Sequence, residues 1–232
     1  MSRTRELVEE EILRVAAACF SQRGYQATTL EDIASQVGIS RVTFYTYFKN
    51  KEAVLKKVLD RMFRTYQQGL ETIFTASLPR QEKLRRAVAH HIACLTTDEA
   101  ARFFLSEEKN LPLQITRHLQ QTKQKIEQLI EREIASGIER GEIIAVNPRL
   151  LTHAFLGMCN WLYRWYLPGD PIPPEEIVET FTRIFESGSV LARAESNGLP
   201  AGGQLHRLEK EVGEIKRELK KVSHALQLTA RS

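Results

Sequence analysis

The chain is short of cysteine. Cys19, Cys94 and Cys159 are odd in number, far apart, and each sits inside an apolar helical pattern. They read as buried free thiols of a reducing compartment, and no disulfide framework is expected. No apolar run reaches the 18 or more residues of a membrane-spanning helix, so no membrane contact is expected. The opening stretch MSRTRELVEEE holds no apolar segment, so no secretory leader is expected and the expected location is cytoplasmic. Neither sign of charge dominates: 33 Lys and Arg stand against 29 Asp and Glu, a net +4. Up to Lys57 nine basic residues face seven acidic ones, so affinity for a polyanion has to come from placement rather than bulk charge. Alternating strand patterns, a phosphate-binding glycine loop, an HExxH pair and a nucleophile elbow are all missing, which leaves no basis for an enzyme or a cofactor. His90 and Cys94 are four apart and His91 adjoins them, but two ligands do not make a metal site, and half-buried side chains are the expected state. His118 and His153 are isolated and read the same way.

What is present is helical punctuation. Thr28 to Lys51 reads TTLEDIASQVGISRVTFYTYFKNK. Thr29 is a good N-cap with Asp32 as its capping-box partner. Leu30, Ile33, Ala34 and Val37 then recur at helical spacing. Gly38 closes that helix, because the position after a helix commonly needs a left-handed backbone. Ser40 caps a second helix whose Phe44 and Phe48 form its apolar side, leaving Arg41, Thr43 and Tyr47 on the other. Two short helices across a glycine turn are the pattern of a DNA-reading helix-turn-helix, with the second helix suited to the major groove. A preceding helix runs from about Arg5 to Arg23, with the stripe Val8, Ile12, Val15, Ala16, Cys19 and Phe20, and Gly24 ends it. A longer helix starts at Lys51 and reaches about Phe74.

The motifs T-x-x-x-I-A (Thr29 to Ala34), G-I-S (Gly38 to Ser40) and T-F-Y-x-Y-F-x-N-K (Thr43 to Lys51) resemble the N-terminal domain of the TetR family of bacterial transcriptional regulators. The resemblance is strong over about residues 5 to 60; Tyr47 departs from it, where many members carry histidine. It implies an all-α fold: a three-helix helix-turn-helix DNA-binding domain over residues 1–50, then a helical ligand-binding and dimerisation domain over 51–195. It implies a homodimer on double-stranded DNA with a near-palindromic operator, acting as a repressor that a small effector releases. Ser40 caps the Ser40 to Phe48 reading helix, Arg41 and Thr43 meet base edges or phosphate, and Thr29, Tyr45, Tyr47 and Lys51 mainly grip phosphates.

Beyond residue 57 the chain continues as helices: Pro79 to Leu95, Asp98 to Leu105, Pro112 to Arg140, Asn147-Pro148 to Tyr166, and Pro174 to Ala194. LPGDPIPP (167–174) breaks the last two. The segment Trp161 to Ile177 is similar to the C-terminal region of TetR-like regulators of fatty-acid or steroid breakdown, some of which sense acyl-CoA thioesters. That likeness implies a cavity for a hydrophobic or amphipathic effector such as an acyl-CoA, with Phe63, Tyr66, Phe103, Phe104, Trp161, Arg164 and Trp165 as candidate contacts. Arg164 would meet an anionic ligand group or an acid on a neighbouring helix. Phe181, Ile184 and Phe185 are candidate dimer contacts on the late helices.

After the linker SNGLPAGG (196–203), residues 204–228 hold Leu205, Leu208, Val212, Ile215, Leu219, Val222 and Leu226 at 3-4-3-4 spacing. This is a heptad seam, with Glu211 and Lys216 placed to pair across a parallel dimer. Three fates stay open: self-pairing, folding back, or binding another protein. The last defines an alternative function, a DNA-bound assembly protein that recruits a partner or oligomerises without sensing a ligand. Self-pairing predicts that a disulfide crosslink between Val212→Cys tails forms readily and is lost on Ile215→Lys. Failure of Val212→Cys to crosslink in the otherwise native chain would point to folding back or a partner.

Overall fold

The structure, a computed structural model, describes residues 3–189 apart from residue 168. The linker and the heptad positions Leu205, Leu208, Val212, Ile215, Leu219, Val222 and Leu226 lie outside the described residues. Among the described residues the secondary structure is helical, with no strand.

The N-terminal helix α1 (Arg3–Ala27) buries Ile12, Leu13, Val15, Ala16, Cys19 and Phe20. Gly24, with φ 79° and ψ 160°, breaks the helical backbone where the sequence places the helix end, and a short further stretch continues beyond it to Ala27. The chain then turns through buried Thr28, whose hydroxyl donates to the carbonyls of Gly24 (2.8 Å) and Cys19 (3.2 Å). Helix α2 (Leu30–Val37) opens with the full Thr29–Asp32 capping box and closes at Gly38, left-handed at φ 77°. Helix α3 (Arg41–Tyr45) is only five residues long, shorter than the Ser40 to Phe48 helix expected. The Thr46 N–H bonds back to the Thr43 carbonyl at 3.1 Å, and the Thr46 hydroxyl takes the same oxygen at 2.7 Å. The ladder tightens there, and a turn carries the chain to Phe48.

Asn50 caps α4 (Lys51–Thr75), its Oδ1 accepting from the Ala53 N–H at 2.8 Å. This helix buries Val54, Leu55, Val58, Leu59, Met62, Phe63 and Leu70. Next come α5 (Arg80–Thr97), α6 (Glu99–Glu107), a 3-10 turn (Glu108–Asn110) and α7 (Leu113–Glu139). Asp98 caps α6 through the Ala100 N–H, and Asn147 caps α8 (Pro148–Asn160), which has proline in its first turn. The helix expected to run to Tyr166 breaks at Trp161; α9 (Leu162–Trp165) follows, then α10 (Pro174–Ser189).

Helix α4 packs on α1 on one side and on α5, α6 and α7 on the other. Polar contacts fasten it both ways: the ion pairs Lys57 to Glu9 at 3.3 Å and Arg61 to Glu10 at 2.6 Å reach α1, and a hydrogen bond between Asp60 and His118 at 2.7 Å reaches α7. These pairs are partly exposed and individually weak. The apolar face of α4 supplies most of the hold, at about 1.5–3 kcal/mol for each fully buried large side chain. The expected dimer contacts divide. Phe185 is buried and packs on Phe155 of α8 at 5.5 Å between ring centroids, so it belongs to the subunit's own core. Phe181 is partly buried against the same core. Ile184 is 54 % exposed and faces outward.

Candidate functional site

Two places carry chemistry. The first is the outer surface of α3. Ser40 Oγ accepts from the Thr43 N–H at 3.0 Å and shares a second hydrogen bond with Thr43 Oγ1 at 2.8 Å. The cap therefore also orients the threonine. Phe44 and Phe48 are buried, as their spacing predicts, which turns Arg41, Val42, Thr43 and Tyr45 outward. Arg41 is held by Glu31 of α2 at 2.9 Å and lies over the Tyr45 ring at 5.6 Å. Both contacts are solvent-exposed, so exchanging the glutamate for a phosphate or a guanine edge costs little.

Two residues here escaped the sequence reading. Val42 is 78 % exposed between Arg41 and Thr43, an apolar tip suited to a thymine methyl. Its position one residue after Arg41 on the outer face was the available signal. Arg5 of α1 donates to the Thr46 carbonyl at 2.9 Å and covers the Tyr47 ring at 5.3 Å. It adds a cation beside half-buried Tyr47, a long-range contact that no local pattern announces.

Two expected phosphate contacts are engaged within the fold. Thr29 spends both its N–H and its hydroxyl on the Asp32 carboxylate, at 2.9 and 2.7 Å, and these bonds hold that carboxyl below the usual range. Lys51 Nζ donates to the carbonyls of Tyr25 (2.8 Å), Gln26 (3.1 Å) and Thr28 (2.9 Å) and sits 4.5 Å from the centre of the Tyr25 ring. An ammonium has three N–H donors, and all three are committed. Lys51 thus ties the end of α1 and the approach to α2 onto the first turn of α4. Lys51→Met should lower stability by about 1–3 kcal/mol, the range for hydrogen bonds to a charged group. It should leave the salt dependence of DNA binding near that of wild type, whereas loss of a phosphate contact would lower the slope by about one. Urea titration and binding at several salt concentrations separate the two roles.

The second place is a cavity of ≈ 330 Å³ walled by α4 through α8. Of the expected contacts, Phe63, Tyr66 and Phe104 line it. Phe103 instead packs on Phe20 at 5.6 Å and joins α6 to α1. Trp161 (59 % exposed), Arg164 and Trp165 are on or beside α9 and face outward, because the break after Asn160 leaves Leu162 as the buried residue of that helix. The wall is otherwise apolar, with Met62, Leu95, Leu105, Ile126 and Leu156.

The polar part of the cavity was not expected. The ring of His91 bonds Asn160 Oδ1 through Nε2 at 2.9 Å and the Tyr66 hydroxyl through Nδ1 at 2.6 Å. A carbonyl oxygen only accepts, so Nε2 carries the proton and Nδ1 accepts from the Tyr66 O–H. Burial holds His91 neutral, with its pKa brought down to about 4, and pushes the Tyr66 hydroxyl well up. Cys94, also on the wall, is pushed up to about 11 by burial, so its thiol stays protonated. His90 stacks on the Tyr66 ring at 5.4 Å and bonds the Tyr66 carbonyl. Glu108 and Lys123 form an ion pair in the wall, with Lys123 over the Phe104 ring at 5.7 Å, and Glu127 and His153 complete the lining. Among the described residues no group of three or more metal-ligating side chains is gathered, and no helix is long and apolar enough to cross a membrane.

A capped short helix with an outward polar face, ahead of a helical body with an apolar cavity, fits a helix-turn-helix class of DNA-binding regulator, and comparison with known proteins makes the class specific. Residues 12–58 match the family described as bacterial regulatory proteins, tetR family, and residues 77–189 match the tetracyclin repressor-like C-terminal domain. The transcriptional repressor KstR2 of Mycolicibacterium smegmatis is 32 % identical over 190 residues, covering 77 % of this chain and 89 % of that protein. The solved structure of the ketosteroid transcriptional regulator KstR2 of Mycobacterium tuberculosis superposes with a TM-score of 0.71 at 20 % identity, covering 83 % of this chain and 98 % of that one. AibR in complex with isovaleryl coenzyme A and operator DNA superposes with a TM-score of 0.69 at 23 % identity, covering 76 % and 97 %. The chain belongs to the TetR family and is a DNA-binding transcriptional regulator.

The neutral His91 has a consequence for stability. Its folded pKa lies below the ordinary 6.5, so the unfolded chain binds the proton first, and the contribution present above pH 6.5 is lost as pH falls toward 4. Relative to a His91→Gln variant, wild type should lose about 2 kcal/mol of stability between pH 7.5 and pH 5. Parallel urea melts of both proteins at the two pH values check this.

Proposed function

We propose that the protein is a homodimeric repressor that leaves a near-palindromic operator when an apolar or amphipathic effector enters the α4–α8 cavity. The observation that carries this reading is α4 itself. One continuous helix begins at the foot of the reading helix and supplies Met62, Phe63 and Tyr66 to the cavity wall. A ligand that displaces those three side chains acts on the same rod that Lys51 ties to the end of α1. The effect on DNA is limited by the ligand's preference for one α4 position over the other.

Exposed apolar side chains on α8 to α10, including Leu150, Trp161 and Ile184, support pairing through the late helices. A twofold dimer presents two α3 helices to half-sites of matching symmetry. Acyl-CoA thioesters and steroids stand as effector classes because AibR is described with isovaleryl coenzyme A and the M. tuberculosis KstR2 as a ketosteroid regulator.

Selection from a random duplex library should return a near-palindrome. Arg41→Ala and Thr43→Ala should relax the preference at individual positions, with about 1–3 kcal/mol of discrimination at stake for a bidentate arginine contact. Val42→Ala should weaken selection at a thymine. Unaltered preferences in all three variants would show that α3 does not read the bases.

A further inference from the structure

The charges around the cavity bear on what it holds. Lys123 is the lone lysine or arginine of its lining, and it is paired with Glu108. Glu127 adds a second carboxylate, so two negative groups stand against one positive. The pair is also part of the wall of an adjoining cavity of ≈ 310 Å³, whose lining of Thr116, Gln120 and Gln124 brings amides and a hydroxyl but no further cation. Arg164, the cation that would have met an anionic group, faces away. An anion entering either space would meet no unpaired lysine or arginine, with the His153 imidazole the remaining basic side chain of the first cavity's lining besides His91, and losing its hydration without a charged partner is costly.

One donor is nevertheless on offer. The Asn160 carboxamide gives its oxygen to His91, and its two N–H hydrogens have no protein partner among the described residues, while Asn160 itself lines the cavity. An N–H pair beside an apolar wall suits a carbonyl oxygen. Resting on the reading of this cavity as the effector site, we infer that it accepts an uncharged apolar ligand whose carbonyl is held by the Asn160 amide: an ester, thioester or ketone, and not a free carboxylate. At ≈ 330 Å³ the space suits an acyl chain or a small fused-ring body and leaves no room for a coenzyme nucleotide as well. In an acyl-CoA the thioester end would be inside and the phosphates outside.

The test uses the full chain at pH 7.5 with matched acids, methyl esters and CoA thioesters of four, eight and twelve carbons, together with a steroid dione, each titrated by calorimetry. At one chain length or more, the uncharged ester should bind at least tenfold tighter than its acid. Asn160→Leu and the cavity-filling Cys94→Phe should each weaken that ester at least tenfold, with folding of both variants checked by thermal melts. Should Asn160→Leu fail to fold, Asn160→Asp, which keeps the acceptor for His91 and removes the N–H donors, should show the same loss. Acids that match or exceed their esters at every length overturn the inference. So does a panel in which no uncharged compound binds, or ester binding unchanged in the Asn160 variants. Operator release is followed in parallel by fluorescence anisotropy. An ester that binds without releasing operator removes the effector reading and leaves the ligand class standing; an acid that releases operator does the reverse.

Discussion

The arrangement depends on how five backbone carbonyls, those of Cys19, Gly24, Tyr25, Gln26 and Thr28, are satisfied around the end of α1. A helix leaves its last carbonyls without intrahelical partners, and here the non-helical backbone of Gly24 interrupts the ladder before the end of α1. Thr28 answers part of that demand with its buried hydroxyl, and the Lys51 ammonium answers the rest. Burial there disfavours the charged form of Lys51 and lowers its pKa, but three carbonyl dipoles and the face of Tyr25 supply the partners that a desolvated ammonium requires. Because Lys51 is also the first residue of α4, the register between the small N-terminal helices and the long helix is set at one point.

A second constraint comes from the cavity wall. Tyr66, His91 and Asn160 belong to α4, α5 and α8, three helices whose apolar faces alone would allow some sliding. A hydrogen-bonded chain with a definite donor order removes that freedom, since a buried break would cost the desolvation of each unpaired group. The chain is neutral throughout, which suits a space lined by aliphatic and aromatic carbon. It ties α4 through α5 to α8, whose Leu150 is exposed on the outer side, so one network joins three of the helices that wall the cavity.

The local features were legible in the sequence because they follow from residues within a few positions of one another. The Thr29–Asp32 box, Gly38, the Ser40 and Asn147 caps and the burial of Phe44 and Phe48 all appear where periodicity and capping chemistry put them. The misplaced residues depend on contacts between distant segments. Lys51 has the type and position of a phosphate ligand, and only the path of residues 25–28 shows that its donors are taken. Trp161, Arg164 and Trp165 looked like cavity residues because they are aromatic or cationic in an apolar run, yet the helix break at Trp161 turns them out. His91 and Asn160 are polar residues in amphipathic helices, and periodicity gives no sign that 69 positions apart they share a proton donor and acceptor.

Under the proposed function, the two constraints together set what an effector would have to accomplish. Both clamps on α4 are made of several modest bonds, so neither holds the helix with more than a few kcal/mol. A tenfold change in operator affinity corresponds to about 1.4 kcal/mol, within reach of a ligand that repacks Met62, Phe63 and Tyr66. The Lys51 clamp has to survive that repacking, since it lies three turns nearer the N-terminus and keeps α4 fastened to the reading domain. The more yielding points are the partly exposed contacts Lys57–Glu9, Arg61–Glu10 and Asp60–His118, which lie between the clamp and the cavity. With the first turn tied by Lys51 and the apolar face keeping α4 on its neighbours, the proposed effector would act by shifting α4 slightly as a rod rather than by detaching it. In the proposed dimer, such a shift of α4 would change the spacing of the two α3 helices without altering the exposed surface of either one.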